Sequence, residues 1–135
     1  MNGPVLEIEV PWDVARSSMN RRVHHMARAR LNRRAMEAAT LAYRQAGSPE
    51  LPDEAVAAVT YVARRGRRMD HENVINGAKP IIDALCRRRR NGHGVLLDDD
   101  DRHLSIDGVF LETGRQYKGR ESLLLRFRII ETEGE

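Results

Sequence analysis

The chemistry-bearing stretch of this chain is "RRMDHENVINGAKP", residues 67–80, followed some twenty residues later by "GVLLDDDDRHL". Asp70 and Glu72 are two apart, and in extended backbone residues i and i+2 point to the same side. Two carboxylates held that close repel unless a proton or a cation intervenes. Hard divalent cations prefer oxygen ligands, and Mg²⁺ commonly takes one or two carboxylates plus water and substrate phosphate. Lys79 follows about two helical turns after Glu72, and Asp98 to Asp101 supply a second acid cluster. If the strands next to these clusters are neighbours, their acids could converge at one sheet end. Metals held there would suit in-line phosphodiester hydrolysis.

The same residues also fit an ordinary helix N-terminus. Acids favour a first turn through the helix dipole, and Lys79 then simply pairs with Asp83 or Glu72. If the segment is helical from Glu72, then Glu72, Asn76, Lys79 and Asp83 share one stripe, with Val74, Ile75, Ala78, Ile82 and Leu85 on another.

The elements around these residues read as follows. "VLEIEV" alternates apolar and polar residues over Val5–Val10, as a half-buried strand does, and Pro11 ends it. A helix over residues 23–46 carries Met26, Ala29, Met36, Ala39 and Tyr43 at helical spacing and stops at Gly47, Ser48 and Pro49. "AVAAVTYVA", residues 55–63, is small and β-branched, the signature of a central strand. A second helix contains Ile81, Ile82, Ala84 and Leu85. It starts near Asn76, or near Glu72 with a disturbance around Gly77. Pro80 fits a first turn better than a helix interior. "HLSIDGVFLET" and "SLLLRFRII" are two further strands, with "GRQYKGRE" between them as a hairpin loop. The expected order is β-α-β-α-β-β, in an α+β fold with a small mixed sheet and helices packed on one face.

The 135 residues predict one domain, 1–135, with a flexible tail in the last few residues. No apolar run approaches the roughly 20 residues of a membrane span. The single cysteine, Cys86, excludes an internal disulfide and a cysteine-based zinc site, and a cytoplasmic setting is expected. Net charge is only +3, but it is unevenly placed. No acid lies between Asp13 and Glu37, where seven arginines fall, and Arg87 to Arg90 form a second block. Basic patches suit a polyanion, because neutralised phosphates release counterions. A solvated charged face would have the same composition. The selected phosphate contacts are Arg21, Arg22, Arg67 and Arg68, with His24 as a phosphate or base contact. The block Arg87 to Arg90 is either a further contact or a solvated helix end.

"MDHENVINGAKPIIDAL" followed by "GVLLDDDDRHL" resembles the RusA family of Holliday junction resolvases, small phage and bacterial endonucleases. "VPW" and "SSMNRRVHHMARAR" resemble that family's opening strand and its Asn-x-Arg-x-x-His region, so the likeness spans nearly the whole chain. The resemblance implies a RusA-like fold and a Mg²⁺-dependent endodeoxyribonuclease, with Mn²⁺ as a possible substitute. The implied enzyme cuts four-way junctions by paired nicks during recombination and repair, as a homodimer on branched DNA. It implies Asp70, Glu72 and Asp99 as metal-binding catalytic acids, Asp98 sharing ligation, and Lys79 as the catalytic lysine. Glu72 departs from the family's commoner aspartate, and a shorter gap would select Asp101 in place of Asp99. The other expectation is a branched-DNA binding protein of the same fold with weak or no cleavage.

Overall fold

The computed structural model describes residues 4–11, 25–89 and 92–130. Four strands form one mixed sheet: β1 (Leu6–Pro11), β2 (Ala57–Arg65), β3 (Leu104–Thr113) and β4 (Ser122–Ile129), in the spatial order β1-β4-β2-β3. Helices α1 (His25–Gln45), α2 (His71–Gly77) and α3 (Lys79–Ala84) complete the α+β fold.

Alternation decides how each strand sits. In β1, Leu6, Ile8 and Val10 are buried while Glu7 and Glu9 face out. β2 is apolar on both faces and takes an interior position, antiparallel to β4 and parallel to β3. Its core-side residues Val59 and Tyr61 pair in register with Phe127 and Leu125 of β4. A bulge between Val59 and Thr60 lets β3 carry one extra residue. The expected hairpin between the last two strands is not formed. β4 lies between β1 and β2, so residues 114–121 cross over the end of β2, tied there by Gly114 N donating to Arg65 O (3.1 Å) and Gly66 N to Glu121 Oε2 (3.1 Å). The physical reason is burial. β2, apolar on two faces, needs a neighbour on each side, and pairing β3 directly with β4 would have left it at an edge.

The helices cover one face. α1 packs on β1 and α3 through Ala35, Ala39 and Tyr43, spaced by four residues and all buried. Met26 and Ala29, expected on this stripe, are exposed; the first turns of α1 extend past the covered surface. Small Ala35 and Ala39 allow close approach, and the Tyr43 hydroxyl donates to Pro49 O (2.7 Å). The helix ends in a Schellman turn: Ser48 N bonds Tyr43 O (3.1 Å), Gly47 N bonds Arg44 O (3.0 Å), and Gly47 takes φ +96°. The region of the second expected helix begins at His71 and is interrupted after Gly77, giving α2 and α3. Among the described residues no helix is long and apolar enough to cross a membrane.

The segment after α3 is docked by its backbone. Cys86 and Leu96 form a parallel bridge, with Arg87 N on Leu96 O (2.8 Å), Arg88 N on Leu97 O (3.1 Å) and Leu96 N on Leu85 O (3.2 Å). Arg87, expected to be surface-directed, is buried. Its guanidinium donates to Asp53 Oδ1 (2.7 Å) and to the carbonyls of Gly94 (3.2 Å) and Val95 (3.4 Å). Gly94 has φ +156°, and a Cβ there would stand 2.4 Å from the Leu85 carbonyl oxygen, which is backbone and held by Leu96 N. At Gly47, also at positive φ, a Cβ would meet nothing within 4 Å. Gly47→Ala is therefore expected to lose about 1 kcal/mol, the left-handed penalty alone. Gly94→Ala should lose about 3 kcal/mol or more, because strain and overlap combine. Urea unfolding of the two variants checks the difference.

Candidate functional site

Lys79 opens α3, and its ammonium meets the Asp99 carboxylate Oδ2 as well as Asp83 Oδ1 (3.3 Å). This contact joins the two acid-bearing motifs of the sequence. Asp99 is also approached by Arg89 Nη2 (3.5 Å), and its backbone N–H donates to Asp98 Oδ1 (2.8 Å). Arg88 reaches Asp98 Oδ2 (3.5 Å), and Arg89 lies 3.5 Å from Asp83. Arg88 and Arg89 are thus counter-charges of the aspartate run. The asymmetry in exposure is large: the Asp99 side chain is 11% exposed and that of Lys79 49%. Asp101 is exposed, and no ion pair links it to Lys79.

Burial alone would raise the Asp99 carboxyl. The hydrogen bond and charge of Lys79, with Arg89, outweigh it and hold Asp99 below the usual carboxylate range. Partial burial pulls Lys79 down, but Asp99 and Asp83 outweigh that and hold its ammonium above the ordinary value. Tyr61 lies beside this cluster. Its hydroxyl is pushed up to about 12, first by burial and then by the charge of Asp99, so it stays a neutral donor.

A cation would find oxygen donors here. The Asp98 and Asp99 carboxylates and Cys86 Sγ lie within 4.8 Å of one another. Cys86 is fully buried, donates to Ile82 O (3.2 Å), and its thiol is pushed up to about 12 by burial and the neighbouring aspartates. A protonated thiol does not suit a hard cation, so Cys86 is the floor of the site and the two carboxylates are its Mg²⁺-compatible donors.

Asp70 and Glu72 fall outside this group. Asp70 is the N-cap of α2 in extended conformation. Its carbonyl accepts from Asn73 N (3.1 Å) and Val74 N (3.2 Å), while its carboxylate makes no cap bond. Glu72 is in the first turn, and both acids are exposed. β2 and β3 are neighbours but parallel, so Asp70 follows one end of the pair and the aspartate run precedes the other. The seven residues of α2, about 10 Å of helix, carry the chain back, and what they deliver to Asp99 is Lys79.

Arg67 and Arg68 are exposed beside Asp70, and no ion pair engages either among the described residues. Arg21, Arg22 and His24 lie outside the described residues. Two participants escaped sequence reasoning. Arg87 is disguised within a run of four arginines. Tyr61, the one aromatic side chain in the small and apolar run 55–63, was the readable signal.

No family model matches this chain, and no curated protein matches it.

The sign of the pH dependence follows from Asp99. As pH falls past the ordinary carboxylate value of about 3.9, the unfolded chain protonates first. The pair's stabilisation is therefore fully present above that value and is lost as pH falls through the lower folded value. Lys79→Met leaves Asp99 to its burial, which raises the carboxyl. The melting temperature of wild type should exceed that of Lys79→Met by a few degrees at pH 6, and the gap should close towards pH 3. A gap independent of pH would show that the ion pair is not its source.

Proposed function

We propose that this protein is a divalent-metal-dependent endodeoxyribonuclease that nicks four-way DNA junctions, as the resemblance to the RusA family implies. The observation that carries the reading is the meeting of Lys79 with Asp99. The lysine of one motif lies on an acid of the other, although twenty residues separate them in sequence. Asp70, Glu72, Arg67 and Arg68 at the start of α2 also support it: their side chains are exposed and engage no partner among the described residues, which leaves them available to a ligand.

Asp98 and Asp99 would hold Mg²⁺, with Mn²⁺ as a substitute, and the resemblance adds Asp70 and Glu72 to the acid set. The ion supplies Lewis acidity towards a phosphodiester and a water of lowered pKa. Lys79 offsets charge at the phosphate and keeps Asp99 ionised at neutral pH. Water adds to phosphorus and the P–O3′ bond breaks, leaving 5′-phosphate and 3′-hydroxyl ends. Arg67 and Arg68, with Arg21, Arg22 and His24 on the N-terminal segment, contact the junction arms. Paired nicks on a two-fold symmetric junction call for a two-fold dimer.

One observation favours a second reading, a junction-binding protein of the same fold without cleavage: Asp70 and Glu72 stand outside the group formed around Asp98 and Asp99. A synthetic four-way junction assayed with and without Mg²⁺ separates the two. Expected are metal-dependent paired nicks, reduced about a hundredfold or more by Asp99→Asn, Asp70→Asn or Glu72→Gln. Junction affinity should be retained or increased, because each change removes a negative charge near phosphate. Chelator-resistant binding without nicks at any metal concentration would select the second reading. Equal cutting of plain duplex would sink junction specificity, and full activity in Asp70→Asn would remove that residue from the site.

A further inference from the structure

A cleft of about 470 Å³ has Lys79, Asp99 and Asp101 in its lining, and the hydrolytic chemistry above leaves its apolar part unused. Ile75 and Ile82 from the helices form one wall, and Leu104 and Ile106 from β3 form the other. Ile106 is 49% exposed on the edge strand of the sheet. Tyr61 of β2 also lines the cleft. It is 2% exposed, yet its hydroxyl has no hydrogen-bond partner among the described residues.

Tyr61 is buried but its hydroxyl oxygen is not sealed off with the buried unpartnered atoms, so the cleft is where this hydroxyl bonds water or a ligand that displaces water. The surroundings narrow what that partner is. A phosphate would not choose aliphatic walls. A flat molecule with apolar faces and a hydrogen-bonding edge would, and the volume lies within the range of small-molecule sites. Nucleobases have this character, and proteins that hold them out of the helix use apolar walls with polar groups at the rim. The cleft adjoins the acids and lysine assigned to the scissile phosphate, so the nucleotide next to that phosphate is the one within reach.

We infer that the cleft receives one unstacked base of a nucleotide flanking the cut, and that the Tyr61 hydroxyl bonds the edge of that base and sets the preferred cutting sequence. The inference rests on the junction-nuclease reading. A branch point is a favourable place to extrude a base, because unstacking is cheapest where stacking is already interrupted.

The test places 2-aminopurine in turn at each nucleotide flanking the branch point of a synthetic four-way junction and adds the full chain in chelator. One flanking position should brighten several-fold on binding, while the same substitution in an arm should not. Rates on junctions varied at that position should differ between bases for wild type, and Tyr61→Phe should compress the difference several-fold. The hydroxyl has no bond to lose among the described residues, so Tyr61→Phe should melt at or above the wild-type temperature, which separates lost recognition from lost folding. If the protein binds or cuts junctions but no flanking position brightens, or if Tyr61→Phe keeps the wild-type preference, the base-pocket inference is overturned and the nuclease reading stands. If the chain binds no junction at all, both are overturned.

Discussion

The arrangement of the site depends on how the segment after α3 is fastened to the end of that helix. Leu96 and Leu97 run beside Leu85 to Arg88 through three backbone hydrogen bonds, and the buried Arg87 guanidinium also holds the Gly94 and Val95 carbonyls. Arg87 can be buried because its donors find a carboxylate and two carbonyls; a guanidinium without them would not tolerate that position. Gly94 permits the approach, since any Cβ would strike the Leu85 carbonyl. Asp98 and Asp99 emerge directly from this fastening, so their position against Lys79 is set by main-chain geometry as well as by charge.

Charge is distributed in two different ways over the surface. On the sheet face away from the helices, arginines are spent on neighbouring acids: Arg64 spans Glu9 (3.2 Å) and Glu112 (3.0 Å), Arg126 meets Glu7 (2.6 Å) and Arg128 meets Asp107 (3.2 Å). Such exposed pairs contribute little each, and they leave that face without a net field to attract a polyanion. At the start of α2, by contrast, Arg67, Arg68, Asp70 and Glu72 have no partners among the described residues. Between these extremes, Lys79, Arg88 and Arg89 balance Asp83, Asp98 and Asp99.

The strands and helices were largely legible because their signals are local. β1 alternates, β4 carries a dense apolar run, and Gly47 with Pro49 stops α1. Where reading failed, the deciding contact was distant. The crossover replacing a hairpin at residues 114–121 reflects the need of β2 for two neighbours. Met26 and Ala29 keep the helical spacing of α1 but lie beyond the surface it covers. Asp70 and the aspartate run are each evident in sequence. Their departure from opposite ends of the sheet follows only from the parallel pairing of β2 and β3.

What the amino-acid order determined unaided was the inventory: which segments are strand or helix, and where acids and bases cluster along the chain. Periodicity and residue chemistry act over a few positions, so they survive without a third dimension. Which of those residues meet was decided by tertiary structure alone. Strand order, the clamp at Arg87 and the return path of α2 put Lys79 on Asp99, left Asp70 and Glu72 outside the group of Cys86, Asp98 and Asp99, and opened a cleft onto Tyr61. Those pairings depend on how whole elements share buried area, a quantity that no short stretch of chain carries.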